Sequence, residues 1–392
     1  MTETSVTDAV EHLERNVVDS LPKGELKRKL ELDRPLRVKL GIDPTAADIH
    51  LGHTVVLRKL REFQDLGHQV VLIIGDYTAR VGDPSGRSAL RPELDPAEID
   101  AHAQTYMDQA FKVLDRGRTE VRHNGEWLDM PMEDLFRLAR TSTVAQLLER
   151  DDFSNRYQAG EPISILELLY PLMQGYDSVA VRSDVELGGT DQKFNLLLAR
   201  DIQQAYGVEP QVAMTLPILP GTDGERKMSK SYGNYVGVAE PPEEIFGKVM
   251  RVPDEAMRVY YELLMDEPFD PDRAAVESKR HLARSLAARY HGDSAGDAAE
   301  QHFDRLHVER SVPDEIESAP LPAEDPIHLP ALLADAFGVS RSEARRLLTG
   351  GGVKIEGEPV AELDVPASRL HGAVVQLGKR RFKRFEAPAE NG

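Results

Sequence analysis

Apolar positions in the first hundred residues follow two different periods. Residues 36–42 (Leu-Arg-Val-Lys-Leu-Gly-Ile) alternate apolar and polar and end at Asp43-Pro44-Thr45, which predicts a strand entering a tight turn. From 52 to 67, Val56, Leu60, Phe63 and Leu66 recur at helical spacing and Gly67 closes the run, the pattern of a helix and its stop. Val70 to Ile74 is apolar throughout and stops at Gly75, as a strand buried on both faces does. Strand, helix and strand within about forty residues predict a βαβ unit of the nucleotide-binding kind.

Further along, residues 82–94 hold two glycines, two prolines and two arginines and read as a mobile loop. Residues 98–180 are mainly helical in pattern and are expected to interrupt the sheet. Strand-like runs resume near 178–187 and 211–219, and 243–322 is helical again. The proline-rich stretch 320–330 reads as a linker to a small separate unit. The predicted fold class is α/β. A Rossmann-like parallel-sheet domain spans 1–242, with a helical insertion at about 98–180. An α-helical domain spans 243–322, and 323–392 comprises the linker and a small α+β domain.

Composition narrows the setting. At 392 residues the chain suggests two or three domains. No apolar run approaches a membrane span, and the start lacks a basic-then-apolar leader pattern. The chain has no cysteine, which excludes disulfides and thiolate zinc sites and makes a reducing cytoplasm the expected compartment. The net charge of −19 argues against indiscriminate binding of polyanions. Its distribution is uneven: residues 328–392 carry 10 Lys+Arg against 8 Asp+Glu, the remainder 38 against 59. An acidic body with a locally basic end suits one defined nucleic-acid partner.

Three clusters carry candidate chemistry. His50-Leu51-Gly52-His53 opens the first predicted helix, where free N–H groups and the positive dipole end suit phosphate and Gly52 permits close approach. Two surface histidines, or a metal pair at i,i+3, are the alternatives; no carboxylate or cysteine completes the latter. Lys227-Met228-Ser229-Lys230-Ser231 follows the last strand-like run. Its two lysines suit charge developing on β- and γ-phosphates; a solvated basic loop is the plain alternative. Tyr170, Gln174 and Asp177 stand at i, i+4 and i+7 on one face of an otherwise apolar helix between Ile165 and Val181. They suit an α-amino group and a distal hydroxyl, or else form a polar stripe facing water.

The two basic motifs, in this order and separated by a parallel α/β pattern, resemble the two ATP-handling motifs (HIGH and KMSKS) of class I aminoacyl-tRNA synthetases. Tyr-x-x-x-Gln-x-x-Asp followed by Gly188-Gly189-Thr190-Asp191-Gln192 is similar to the tyrosyl-tRNA synthetase family, and the likeness covers nearly the whole chain. It implies activation of L-tyrosine with ATP and Mg2+ to tyrosyl-AMP, then transfer to tRNA(Tyr), in a cytoplasmic homodimer joined through the helical insertion. No membrane and no protein-bound structural metal are implied. Residue by residue, it implies that Asp177 accepts the phenol proton while Asp83, Tyr170 and Gln174 hold the α-amino group. Gln192 would lie near the carboxylate, Asp191 and Gly189 at the ribose, and Asp43 beside the adenylate. Thr45 and His50 would contact the departing phosphates and His53 the α-phosphate and nucleotide. Gly52, Lys227, Met228, Ser229 and Lys230 would complete the ATP site, with Arg87 and Arg91 around pyrophosphate. One departure stands out. Many members have a tyrosine where this chain has Lys39, and the sequence resembles the bacterial subgroup with Lys-x-Gly-Ile-Asp-Pro-Thr. Lys39 either contacts the phenol oxygen, directly or through water, or pairs with Asp177.

Residues 328–357 resemble an S4 RNA-binding domain: a short helix, a Ser-x-Ser-Glu-Ala-Arg-Arg helix and a glycine turn into a strand. Arg341, Arg345 and Arg346 would face phosphates. In the stretch Lys379, Arg380, Arg381, Phe382, Lys383 and Arg384 an aromatic ring interleaves with cations, which suits backbone contact with stacking. An ordinary α+β appendage is the alternative. The preceding helical domain would be of the anticodon-binding type. Three rivals for the whole chain are tryptophanyl-tRNA synthetase, a small-molecule nucleotidyltransferase and a non-catalytic RNA-binding relative. The first lacks reason for the Tyr-Gln-Asp face, the second leaves the lysine motif and basic end unexplained, and the third ignores the competent ATP positions.

Overall fold

Parallel strands dominate the main sheet, and their order creates the site. The computed structural model describes residues 3–44, 48–84, 96–307, 316–378 and 381–386, in two units, Met1–Ala299 and Glu300–Gly392. In the first unit β1 (Asp19–Leu21), β2 (Arg37–Ile42), β3 (Gln69–Ile74), β4 (Thr119–His123), β5 (Val185–Gly189) and β6 (Val212–Leu216) form one sheet of order β1-β6-β5-β2-β3-β4. Only β1 is antiparallel to its neighbour. The chain begins its parallel part at β2, moves outward to β3 and β4, then returns to β5 on the other side of β2. The segments leaving β2 and β5 therefore diverge, and a crevice opens beyond their carboxyl ends, where ligands bind in open α/β sheets.

The sheet is buried on both faces. Val70, Val71, Ile73, Ile74, Val185 and Val212 are fully shielded, which is why their runs are continuously apolar rather than alternating. The predicted βαβ unit is present, with helix α1 at Leu51–Asp65. Its buried face is turned by about one position from the periodicity: Leu57, Leu60 and Phe63 are buried, Val56 is half-buried and Leu66 is exposed. Helix α2 (Ile165–Ala180) starts at Ser164, whose hydroxyl accepts from Leu166 N while Glu167 reaches back to Ser164 N, a reciprocal cap. Helix α3 (Lys193–Ala205) packs along α2 and against β6.

Two expectations change. The stretch 98–180 is not wholly helical: Thr119–His123 pairs in parallel with β3 as the sheet's edge. Its five residues are all half-buried, so the strand carries no continuous apolar signal. The proline-rich stretch 320–330 is no free linker. Ser318–Pro320 pairs with Arg381–Glu386, Ile327–His328 pairs with Asp364–Val365, and Leu321, Ile327 and Leu329 are buried in the second unit's core.

That second unit carries the expected helix pair, Leu329–Phe337 and Arg341–Thr349, then Gly350–Gly352 and the strand Val353–Ile355. Ser340 caps the second helix by accepting from Glu343 N. In chain order, the expected helices Pro242–Val249, Met257–Leu264, Ala275–His291 and Asp293–His307 follow β6. No helix among the described residues is long and apolar enough to cross a membrane.

Candidate active site

At the switch point lies a cleft of about 280 Å³ lined from β2 (Leu40, Asp43), α1 (His53, Val56), β5 (Glu186 to Gly189) and α2 (Tyr170, Gln174, Asp177). Asp83, Thr78, Asn124 and Gln192 complete its polar wall. The Tyr170–Gln174–Asp177 face thus points into a cavity, not to water, and the helical spacing brings all three together.

Asp177 is 3% exposed. Its Oδ1 accepts from Trp127 Nε1 at 2.8 Å and its Oδ2 from Asn124 Nδ2 at 3.4 Å. Burial dominates and pushes its carboxyl up to about 7, while Lys39, Trp127 and Asn124 pull it down. Tyr170 donates to Asp43 Oδ2 at 2.8 Å, and Thr78 donates to Asp43 Oδ1 at 2.7 Å. Asn124 in turn donates to Thr78 Oγ1 at 3.0 Å. A hydrogen-bonded row Asp43–Thr78–Asn124–Asp177 therefore crosses the cleft. Gly75 makes room for it, because a Cβ there would fall 2.0 Å from Asp43 Oδ1 and 2.4 Å from Thr78 Oγ1.

Asp83 accepts from Gln192 Nε2 at 2.9 Å and Arg150 Nη2 at 3.2 Å. Gln174 and Gln192 are both held by Asn195 Nδ2, at 2.7 and 3.1 Å. Lys39 corrects one expectation. It does not pair with Asp177 but with Glu186, Nζ to Oε1 at 2.9 Å, because the two residues face each other in the β2–β5 register. It is fully buried behind the cleft wall.

The two histidines form a cap. His50 Nδ1 accepts from Gly52 N and His53 Nδ1 accepts from His50 N, each at 3.2 Å. With both Nδ1 atoms accepting, each neutral ring carries its proton on Nε2 and keeps one N–H donor to offer. Burial, then His53 and Lys230, hold His50 far below its usual range, and burial, then Lys230, holds His53 at about 4. Both are uncharged donors at neutral pH. Gly52 is needed for the same geometry, since a Cβ would lie 3.0 Å from the His50 ring. His53 faces the cleft.

The lysine motif lies beside this helix start. Leu51 N bonds Val236 O, and His50 bridges Gly237. Lys230 Nζ contacts Asp48 Oδ2 at 2.7 Å, and Lys227 Nζ lies 3.5 Å from Asp191 Oδ2. Met228 is buried, whereas Lys227 is exposed and Lys230 half-buried. Ser229 accepts from Ser231 N. Gly189 lines the cleft and Asp191 is exposed just beyond it. Thr45, Arg87 and Arg91 lie outside the described residues, as does most of the 82–94 loop; so do Lys379 and Arg380. In the second unit Arg341, Arg345, Arg346, Arg381 and Arg384 are exposed, and Lys383 pairs with Glu317 at 3.1 Å.

Sequence patterns missed several supporting residues. Asn124 and Trp127 follow an edge strand that was itself hidden. Arg150, 4% exposed, had no periodic signal. Asn234 organises the lysine loop, accepting from Ser229 N at 2.9 Å and donating to Asp223 Oδ2 at 2.9 Å and Lys227 O at 3.2 Å. Only its place three residues after the motif hinted at a role. Among the described residues no group of three His, Asp or Glu side chains is set to hold a metal.

The family described as tRNA synthetases class I (W and Y) matches residues 30–307. A tyrosine–tRNA ligase of Moorella thermoacetica is 50% identical over 401 residues, covering 98% of this chain and 97% of the relative. One of Thermotoga maritima is 49% identical over 390 residues, covering 96% and 97%. Among solved structures, a C-terminally truncated mitochondrial tyrosyl-tRNA synthetase of Aspergillus nidulans matches with a TM-score of 0.65 at 22% identity, over 78% of this chain and 97% of that one. A tyrosyl-tRNA synthetase of Archaeoglobus fulgidus, complexed with L-tyrosine, matches at 0.59 and 24% identity, over 76% and 96%. At those identities the structures speak for the fold.

The raised carboxyl of Asp177 has a signature in stability. Unfolded, an aspartate ionises near ~4; folded, this one does so at about 7. Between those values the folded chain holds a proton the unfolded chain has released, so this group's contribution weakens as pH rises through the window. The difference in unfolding midpoint, wild type minus Asp177→Asn, is expected to fall between pH 5 and pH 8. Parallel profiles for the two proteins would show that Asp177 ionises normally.

Proposed function

The chain belongs to the class I tRNA synthetases for tryptophan and tyrosine, on the branch of the bacterial tyrosine–tRNA ligases, and from that membership we propose which residues carry the reaction. It activates tyrosine with ATP and passes it to tRNA. In the first step a carboxylate oxygen of tyrosine bonds to the α-phosphorus of ATP, and the bond to the β-phosphate bridging oxygen breaks as pyrophosphate leaves. In the second, a ribose hydroxyl at the 3′ end of the tRNA attacks the activated carbonyl and AMP leaves.

The observation that carries the assignment of roles is Asp177, a buried carboxylate lining a cleft that His53 of the phosphate-suited helix start also lines. It accepts the phenol proton, and a site built to bond that hydroxyl rejects phenylalanine strongly. Asp83, Tyr170 and Gln174 receive the α-amino group, and Gln192 lies by the carboxylate. Asp43, Gly189 and Asp191 take the ribose and adenylate side. The Nε2–H groups of His50 and His53 donate to phosphate oxygens, over the backbone opened by Gly52. Lys227 and Lys230, with Met228 and Ser229 shaping their loop, leave Asp191 and Asp48 to meet the charge on the leaving pyrophosphate. Thr45, Arg87 and Arg91 join them there. Mg2+ arrives on the ATP phosphates as part of the substrate.

We assign tRNA backbone contact to Arg341, Arg345, Arg346 and Lys379 to Arg384 in the S4-like unit, and a cytoplasmic setting shared with that tRNA. Domain limits of 1–242, 243–322 and 323–392 remain the functional division proposed, with the strand Ser318–Pro320 structurally on the small unit's side. The homodimer rests on five large apolar side chains left exposed between 132 and 165: Met132, Phe136, Val144, Tyr157 and Ile165, at 57–79%. Exposed apolar groups so concentrated mark interaction surfaces.

Three expectations test these assignments. His50→Ala and Lys230→Ala should each slow single-turnover tyrosyl-AMP formation by on the order of 10²–10³, with tyrosine affinity unchanged. Equal losses in tyrosine binding and in rate would remove the residue from the phosphate role. Replacing Arg341, Arg345 and Arg346 together by alanine should weaken tRNA binding and lower its salt slope by about 2–3, leaving pyrophosphate exchange intact. An unaltered slope sinks the RNA assignment. Phe136→Glu combined with Ile165→Glu should shift the sedimentation coefficient to that of a monomer; a dimer that persists in the double variant puts the interface elsewhere.

A further inference from the structure

Lys39 and Glu186 form an ion pair with 0% and 1% side-chain exposure. Removing two charges from water is costly, and well-packed apolar residues in such places are often at least as stable. The pair therefore calls for a reason other than stability. Its surroundings supply one. Lys39 Nζ has three donors, and all three are used on groups tied to the cleft: Glu186 Oε1 at 2.9 Å, Gln174 O at 3.0 Å and Ser178 Oγ at 2.8 Å. The last two acceptors sit on α2 on either side of Asp177. Ser178 donates its own hydroxyl hydrogen bond to Glu186 Oε2 at 3.0 Å, and Gln211 donates to the same oxygen. Glu186 also faces the cleft and lies 3.4 Å from Gln174 Nε2.

We propose that the Lys39–Glu186 pair is the positioning device of the amino-acid pocket: it pins the cleft face of α2 at residues 174 and 178 and sets a fixed positive charge behind Asp177, which makes tyrosine selection depend on it. This rests on the assignment of Asp177 to the phenol. Lys39 itself is a positioning residue and touches no substrate. The groups facing Asp177 are Lys39 from β2, Glu186 from β5, and Trp127 and Asn124 from the turn after β4. Tyr170 of α2, with Asp43 and Asp83 beside it, completes the ionisable set of that wall. Lys39 favours the ionised carboxylate and Glu186 opposes it, so the two partners of one ion pair act on Asp177 with opposite signs.

That opposition separates positioning from mere packing. The full-length enzyme is compared with Lys39→Met, Glu186→Gln and Asp177→Asn, each checked for folding by circular dichroism. The readouts are kcat/KM for tyrosine and for phenylalanine in pyrophosphate exchange from pH 5.5 to 9 (a span of about 3.5 units around the Asp177 midpoint), and KM for ATP. In Lys39→Met the acid limb for tyrosine should move to higher pH by about one unit, a tenfold loss of the ionised form below it. The tyrosine/phenylalanine ratio should fall with it, while KM for ATP stays. In Glu186→Gln the limb should move the other way. If Lys39→Met does not fold, the downward shift in Glu186→Gln alone decides. Limbs that stay in place in the folded variants, or losses equal for tyrosine and phenylalanine, overturn the inference. Asp177→Asn keeps the two levels apart. A tyrosine/phenylalanine ratio unchanged there removes the phenol assignment, whereas a changed ratio there with unmoved limbs in the other two removes only the role of the pair.

Discussion

Four carboxylates, Asp43, Asp83, Asp177 and Glu186, line one small cleft at the carboxyl ends of the central parallel strands, and the surrounding structure answers to the cost of holding them there. Charge that leaves water must be met by donors or it is lost to protonation. Each carboxylate has its own set: Tyr170 and Thr78 for Asp43, Arg150 and Gln192 for Asp83, Trp127 and Asn124 for Asp177, Lys39 and Ser178 for Glu186. These donors come from β2 (Lys39), the segment after β3 (Thr78), the turn after β4 (Asn124, Trp127), the start of the helix Asp151–Ala159 (Arg150), α2 (Tyr170, Ser178) and the approach to α3 (Gln192). The crossover topology is what lets segments so distant in sequence reach one crevice. An acidic cleft with donors already committed suits a substrate that brings its own protons, an ammonium at one end and a phenol at the other.

The phosphate side is built on the opposite principle. There the groups are donors, and burial keeps the two imidazoles neutral. A pair of fixed N–H dipoles at a helix start serves charge that develops during reaction without repelling the lysines nearby. Those lysines rest on Asp48 and Asp191, so they are held close without being buried. Asn234 keeps the loop's backbone in shape beneath them. In the proposed assignment ATP meets this helix end and the two lysines, which exchange their carboxylate partners for phosphate.

Charge is also sorted along the chain. The body is acidic, and the exposed arginines of Arg341–Thr349 stand on a short helix in the second unit whose other face, Ala344 and Leu348, is fully buried. With a net charge of −19 the molecule repels polyanions in general, so affinity for one RNA has to come from a local cluster with a fixed geometry.

The sequence by itself determined whatever depends on neighbours along the chain. The strand at 36–42, the helix after His50, the apolar strand at 70–74 and the polar face of the helix at 170–177 follow from period and from capping chemistry, which are local. His-x-x-His is legible in the same way, since residues three apart at a helix start can cap each other. The tertiary structure decided what depends on residues brought together from afar. The sequence leaves Lys39 either at the phenol oxygen or paired with Asp177; strand register sets it against Glu186 instead of Asp177, and register is a property of two strands. The half-buried strand Thr119–His123 carried too little apolar signal to be seen, and Asn124 and Trp127 went unnoticed with it. Val56 and Leu66 shared the predicted face of their helix, but packing against the sheet turned one to the cleft and the other to solvent. Whether a carboxylate is buried, and so whether Asp177 holds its proton near neutral pH, follows from the space and the charges around it, and neither is written in the order of residues.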